Sequence, residues 1–527
     1  MIGIHIYPSN VSYTSKHTNI TRELADIKIT LSYHKRYDKQ VFFESDKYLI
    51  FLDGWIFNSP SYNKQAEFVL QTYIKDSVNF IHELNGQFNL VIYNKVEHEY
   101  VFYNDIFSFR KHYYSFERSQ LLLSSDLNFI TKHIKEKTLN SDHITKNINL
   151  PRFIDVKETF IKEIKQGFPC MKIIKHKISK YSIEKVKDNF FSKENDPVYF
   201  LEKLKKIISK SYRNENILLL LTGGLDSRFL LEMFNDMNFN IQTATYGNDI
   251  SDEVQIARKV AESNKVKHFI YNLGSKDFLK NAQRYIDETS GLDIFVQSHV
   301  YEFYSFLENK IKKDSIIDTG FALDMFLGGS QLNKEINHDL AIENRVFSGL
   351  AIRQSAHREF YEDRYSMYDY EIYFLMKDLP INIIKDNKFY YNLCQLQIKN
   401  SFHIPLQSTM FDLKLAPHEW KNAEAVQFNK EKFVLEHFKN FKKPLYHNRY
   451  YSDFGMWIRD KNEWKNFVED ILLNNKSILS KLFLKQNIIE KTIKEHMTGE
   501  KSHIRKIIKW ISLELFFKSN QHQLDIK

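Results

Sequence analysis

The sequence predicts a protein in two parts, an α+β half from residue 1 to about 135 and an α/β half built on a parallel sheet from about 196 to 527. Three observations carry that reading. Short alternating apolar runs fill the first 135 residues. Between 200 and 237, a helical pattern, a buried apolar run, a glycine pair and a second helical pattern follow one another. A chain of 527 residues, 43% apolar and 15% aromatic, also has material for roughly two to four domains with their own cores. Only 15 Gly and 9 Pro are present, which excludes collagenous and low-complexity designs.

In the first half, the runs 41–43, 48–52, 88–93, 100–103 and 121–123 predict strands of a largely antiparallel sheet system. Ala66, Val69, Leu70 and Tyr73 fall on one face of a helix between them. From 136 to 195 the chain is lysine-rich and weakly patterned, with Gly167-Phe168-Pro169 as its clearest turn, and predicts a connecting segment. Phe200, Leu201, Leu204, Ile207 and Ile208 then predict a helix that leads into the apolar run 217–221. Further buried strands are expected near 241–246, 268–271 and 315–318, with helices filling most of the remainder. Aromatics and lysines at helical spacing in the last hundred residues are explained by packing and solvated faces.

Lys and Arg number 75 against 66 Asp and Glu, but the excess of nine is spread along the chain, so a nucleic-acid partner is not implied. The run 217–221 is far short of the ~20 residues that cross a bilayer, so no membrane helix is expected. The first residues lack the basic and apolar regions of a secretory signal, which predicts a cytoplasmic location. Cys170 and Cys394 are the only cysteines, which excludes a disulfide framework and a four-thiolate zinc site. Neither HExxH nor GxxxxGK[ST] occurs.

The most informative segment begins where 217–221 delivers Thr222, Gly223, Gly224, Leu225, Asp226 and Ser227 to the C-terminal end of a strand, the place where open α/β sheets bind ligands. Gly223 and Gly224 clear side chains from the backbone and permit positive φ. Backbone amides can then converge on an anion at the start of the next helix, whose buried side carries Phe229, Leu230, Met233, Phe234 and Met237. Thr222 and Ser227 add hydroxyl donors. Asp226 has the wrong charge for a phosphate unless a cation stands between them, which points to Mg2+. A bare glycine pair would merely relieve strain at a turn; the whole constellation argues for a nucleotide phosphate site.

TGGLDS resembles the pyrophosphatase-type ATP loop SGGxDS, with Thr222 in place of the first serine. Residues 244–268 are similar to the second strand and helix of asparagine synthetase domains, a resemblance that places Tyr246 and Gly247 at the adenine pocket. Asp252 and Glu253 read as ordinary charge at a helix N-terminus. DTGFALDMFLGG (318–329) resembles that family's GxGxDExxGG: Gly320, Asp324, Gly328 and Gly329 match, while Ala322 replaces a glycine and Met325 the glutamate. Asp324 is then implied as the second magnesium-side carboxylate beside Asp226. EDRYSMYD (362–369) lines up with EARVPFLD, and Glu362 falls at a carboxylate thought to assist proton removal from the attacking amine. The family also has a late catalytic lysine, for which Lys442 and Lys443 are both candidates.

The first half is similar to the glutaminase of the same family. Met1-Ile2-Gly3-Ile4 stands where Met-Cys-Gly-Ile is expected, and FLDGWIFN (51–58) parallels NGEIYN. Gly54 and Asn58 are kept, and Asp53 replaces the oxyanion-hole asparagine. The implied fold is an α+β N-terminal nucleophile hydrolase-like sandwich, a degenerate glutaminase, over 1–135. An α/β parallel-sheet PP-loop ATP pyrophosphatase (asparagine synthetase) domain follows over 196–527. Glutamine hydrolysis on this plan needs a thiol nucleophile. Ile2 has none, the first cysteine is Cys170, and the Asp53 carboxylate would repel a developing oxyanion. The expectation is a glutaminase fold without glutaminase activity.

The resemblance implies a carbon–nitrogen ligase that uses ATP and Mg2+ to adenylate a small-molecule or peptide carboxylate. The nitrogen would come from free ammonia, from a separate glutaminase, or from an amine, as in beta-lactam synthetases and lasso-peptide cyclases, which also lack the glutaminase cysteine. Two other readings of the loop are weaker. A tRNA-thiolation enzyme would want paired cysteines near it, and a non-catalytic scaffold would not need both Asp226 and Asp324. No membrane or nucleic-acid partner is expected, and a homodimer is allowed.

Overall fold

The computed structural model describes residues 1–117, 120–149, 157–182, 196–249, 251–321, 323–328, 349, 351–377, 379–384, 387–407, 413, 452, 454–473 and 477–521. Ala322, Gly329, Lys442 and Lys443 lie outside the described residues.

The N-terminal half holds two six-stranded antiparallel sheets. Its strands are β1 (Gly3–Pro8), β2 (Thr18–Leu24), β3 (Ile27–Tyr33), β4 (Phe42–Glu44), β5 (Tyr48–Ile56), β6 (Gly86–Asn94), β7 (Glu99–Asn104), β8 (Tyr113–Glu117), β9 (Gln120–Ser124), β10 (Lys165–Gln166), β11 (Met171–Ile174) and β12 (Lys177–Lys180). They run in the orders β10-β8-β9-β1-β3-β2 and β12-β11-β7-β6-β5-β4. Alternation along β5 shows why the sheets stack. Leu49 and Phe51 join Ile4, Ile6, Leu31 and Leu123 of the other sheet, whereas Ile50 and Leu52 turn to Ala66, Val69 and Leu70 of the helix Gln65–Lys75.

The segment 136–195, expected to be connecting chain, departs from that expectation. It supplies a helix, Ser141–Asn147, and the strands β10, β11 and β12, which extend both sheets. Each of these strands is only two to four residues long, too short for an alternating pattern to stand out among lysines.

The second half is built on β13 (Asn216–Leu220), β14 (Asn240–Gly247), β15 (Lys267–Asn272) and β16 (Ile316–Thr319), all parallel, in the order β15-β14-β13-β16. After β13 the chain moves outward through β14 and β15, then returns to the other side of β13. The order therefore reverses between β13 and β16, and that opens a crevice at their C-terminal ends. The segment 362–364 continues the sheet past β16: Ile317 N–H donates to the Glu362 carbonyl at 3.0 Å, and Arg364 N–H to the Ile317 carbonyl at 3.0 Å.

The two halves share a core. Tyr7, Leu127 and Phe129 from the first cluster with Phe278, Phe295, Trp510 and Phe516 from the second. The helix Ile504–Asn520 that carries Trp510 is buried almost all round, Lys509 and Glu514 included. Glu514 accepts hydrogen bonds from the N–H groups of Ile478 and Leu479, so its burial is compensated. Among the described residues, no helix is long and apolar enough to cross a membrane.

Candidate active site

The crevice between β13 and β16 receives the two segments expected to bind nucleotide and metal. At the end of β13 the loop is closed by its own hydroxyls. Thr222 N–H donates to Ser227 Oγ at 3.0 Å, the two hydroxyl oxygens lie 3.1 Å apart, and Gly224 N–H donates to Thr222 Oγ1 at 3.2 Å. Thr222 and Ser227 thus shape the loop as well as offering donors to a ligand. No side chain caps the helix Asp226–Asp236 that starts here, so its first N–H groups keep their capacity for an anion.

Neither Gly223 nor Gly224 takes up the positive φ that glycine permits. Gly223 is required for close approach. A Cβ there would lie 2.8 Å from Gln407 Cβ and 3.2 Å from Glu253 Cα, and Gln407 N–H donates to the Gly223 carbonyl at 2.9 Å. Gly320 is tighter still. A Cβ at that position would meet the Asp226 carbonyl carbon and the Ser227 nitrogen, both at 2.5 Å. The end of β16 therefore lies flush against the first turn of the helix, and only glycine permits it.

This contact brings Asp324 to Asp226. The Asp324 N–H lies 3.5 Å from Asp226 Oδ2, and Tyr390, on the helix Lys388–Gln397, donates its hydroxyl to Asp226 Oδ1 at 2.7 Å. Burial, then the Asp324 carboxylate, push the Asp226 carboxyl up to about 7. The groups acting most strongly on it are the Asp324 carboxylate, the Tyr390 hydroxyl and backbone N–H groups, none of them a cation. Two adjacent carboxylates at the mouth of a loop with free helix N–H groups fit a hard divalent cation shared with phosphate oxygens. Among the described residues, no group of three or more His, Cys, Asp or Glu could hold a metal by itself, so the remaining ligands would come from a substrate or water.

Tyr246 and Gly247 end β14 on the far side of β13. The Tyr246 ring stands edge-on to His299 at 4.6 Å and to Phe303 at 5.0 Å, which fixes it against the helix Val300–Leu307. Leu225 is half-buried at the start of the helix Asp226–Asp236. Asp252 and Glu253 open the helix Asp252–Ser263 behind a Ser251 cap, as expected of N-terminal charge.

Three features lay beyond the sequence reading. Tyr390 carries no motif and reaches Asp226 from 164 residues away. The helix Asp226–Asp236 is buried on nearly every side, so Arg228 and Glu232 are interior residues. The Arg228 guanidinium donates to the carbonyls of Ser401, Ile404 and Pro405, and Glu232 accepts from the N–H groups of Lys399, Asn400 and Ser401. Their i,i+4 spacing was the available signal. Finally, buried Cys394 lies close enough to Asp226 for that carboxylate to raise its thiol further, after burial has done most of the work. Such a thiol is inert, against a sulfur-transfer role.

Glu362, expected to accept a proton, is placed differently. It is fully buried, with Lys39 Nζ 3.1 Å from Oε1 and an Arg110 guanidinium nitrogen 3.0 Å from Oε2. Burial alone would raise this carboxyl, but Lys39, Arg110 and Arg358 together hold it well below the usual range. A carboxylate so stabilised is a weak base.

Comparison with known proteins agrees with the domain order. Residues 57–185 match the glutamine amidotransferase domain family, and residues 203–316 match the asparagine synthase family, whose members are ATP-dependent carbon–nitrogen ligases. No curated protein matches the chain. Among solved structures, NMN synthetase from Francisella tularensis is similar at 14% identity and a TM-score of 0.20, over 30% of this chain and 74% of that one. Glutamine phosphoribosylpyrophosphate amidotransferase from B. subtilis, complexed with ADP and GMP, is similar at 10% identity and a TM-score of 0.19, over 56% of this chain and 67% of that one. A glutamine-amidotransferase-type domain is thus followed by an asparagine-synthase-type domain, in the order expected for an asparagine synthetase-like protein.

Proposed function

We propose that the protein is an AMP-forming amide ligase that adenylates a substrate carboxylate and transfers it to ammonia or an amine, without glutaminase activity of its own. The observation that carries this reading is the pairing of an uncapped helix N-terminus with the adjacent carboxylates of Asp226 and Asp324. The loop 222–227 and the first turn of the helix Asp226–Asp236 would hold the phosphates of ATP through backbone N–H groups, and Thr222 and Ser227 would fix the loop's shape. Asp226 and Asp324 would hold Mg2+, which when bound supplies charge neutralisation for a departing pyrophosphate. Tyr390 fixes the orientation of the Asp226 carboxylate, and Tyr246 offers an anchored ring beside the crevice. The missing glutaminase activity is supported by Ile2 and by Asp53, whose carboxylate stands beside Gly3 and pairs with arginines.

The experiment incubates the whole chain with ATP, MgCl2 and candidate carboxylates, with either ammonium or glutamine, and measures pyrophosphate and glutamate. Pyrophosphate with ammonium or an amine, and no glutamate from glutamine, is the expected result. Release of glutamate by this chain alone would overturn the second part of the reading, and formation of ADP in place of AMP would overturn the first.

A further inference from the structure

Beside the nucleotide crevice the two halves meet in a second cluster of buried charge. Lys39, Asp53 and Arg110 come from the N-terminal half, and Arg358, Glu362 and Asp363 from the other. All six side chains are between 1% and 6% exposed. Three cations face three carboxylates, so the cluster is neutral as a whole. Most bonds in it cross between the halves: Lys39 to Glu362 at 3.1 Å, Arg110 to Glu362 at 3.0 Å, Arg110 to Asp363 at 3.5 Å, and Arg358 to Asp53. The Arg110–Asp53 pair, at 3.4 Å, and the Arg358–Asp363 pair, at 4.0 Å, each lie within one half. Tyr37 adds a neutral link, donating to the Ser315 carbonyl at 2.9 Å and accepting from Glu362 N–H at 2.8 Å.

Two placements give the cluster a function. Asp53 Oδ2 lies 3.6 Å from where a Cβ on Gly3 would stand, beside the start of β1. An amide at position 53 could accept a hydrogen bond from Arg358 and Arg110 but could not balance their charge. On the other side, the segment that carries Arg358, Glu362 and Asp363 is hydrogen-bonded along β16 through Ile317, and β16 leads directly into Gly320, which packs against Asp226 and Ser227. One strand therefore joins the charge cluster to the wall of the nucleotide crevice.

We propose that the N-terminal half, in place of supplying ammonia, braces the nucleotide crevice, with Asp53, Lys39 and Arg110 acting as positioning residues for segment 358–364 and, through it, for β16. The brace deepens the ligase reading, and rests on it only for the identity of what the crevice binds.

Hydrogen exchange on the whole chain tests it without nucleotide, using Asp53→Asn, Arg358→Gln, the double variant and the charge-keeping Arg358→Lys. Each single neutral variant should speed exchange of the Ile317 and Arg364 amides at least tenfold, while the helix Ile504–Asn520 keeps its rate. The double variant should match the larger single effect, and Arg358→Lys should stay within threefold of the parent. Exchange within twofold of the parent in both neutral variants overturns the brace, as does a double variant whose effect is the product of the two. Arg358→Lys behaving like Arg358→Gln also overturns it, because mere packing would then explain the contact. If either neutral variant also opens the helix Ile504–Asn520, Lys39→Met is read instead: at least threefold faster exchange at Arg364 supports the brace and parental exchange overturns it. The ligase reading stands apart from these outcomes, since it fails on the pyrophosphate assay alone.

Discussion

Two carboxylate clusters lie on either side of β16 and are organised in opposite ways. In the crevice, Asp226 and Asp324 face each other with a tyrosine hydroxyl and backbone N–H groups, and burial, then like charge, push Asp226 up to about 7. At the junction of the halves, Asp53, Glu362 and Asp363 are matched one for one by Lys39, Arg110 and Arg358, and Glu362 is held well down. The groups acting most strongly on Asp226 in the first cluster include no cation. The other cluster brings its own, and is closed to ligand.

The sharpest way to break this comparison is to remove one partner from the closed cluster. Asp53→Ala strands Arg358 and part of Arg110, so denaturant unfolding should show a loss of about 3–5 kcal/mol. Asp324→Asn is the matched control. In the absence of divalent cation it relieves repulsion on Asp226 and should leave stability unchanged or slightly higher. A comparable loss from both substitutions would erase the distinction.

Activity should respond the other way round. Asp226→Asn, which keeps shape and removes charge, should lower pyrophosphate formation by about 100-fold or more. The same substitution should have little effect on exchange at Ile317. Smaller in effect is Gly320→Ala, whose new methyl meets backbone at 2.5 Å and must push β16 from the helix, at about 1–3 kcal/mol in unfolding free energy.

The pH dependence of stability separates the clusters by sign. Asp226 has a folded value near 7, above the ordinary ~4 of an unfolded carboxylate. Its contribution is complete below about pH 4 and is lost as pH rises through 7. Glu362 is shifted down, so its contribution is present above about pH 4.3 and is lost as pH falls toward its folded value. Thermal melts without divalent cation should therefore show Asp226→Asn more stable relative to the parent at pH 8 than at pH 5, with Mg2+ closing the gap. Asp105 and Asp369, also near 7, are common to both proteins and cancel. The smallest effect expected is none at all: Ile2→Cys should release no glutamate from glutamine while Asp53 and Arg358 stay paired.

What could be read in advance follows from local rules. β13, its loop and the helix after it were plain because a strand, two glycines and an apolar helix face are contiguous in sequence. β10 to β12 escaped because strands of two to four residues leave too little alternation to detect. Gly223 was singled out for close approach, but the segments that approach it, at Glu253 and Gln407, are remote in sequence and could not be named.

The amino-acid sequence by itself determined the order of the two halves, the glycine loop that follows β13 and the absence of a thiol at position 2, because each depends on residues that are neighbours in the chain. Tertiary structure alone decided that Gly320 seats Asp324 beside Asp226, that Tyr390 holds the latter, and that Glu362 is locked to Lys39 and Arg110. The physical reason is that a carboxylate's chemistry is set by the charges within a few ångströms of it, and those charges come from segments more than 300 residues apart.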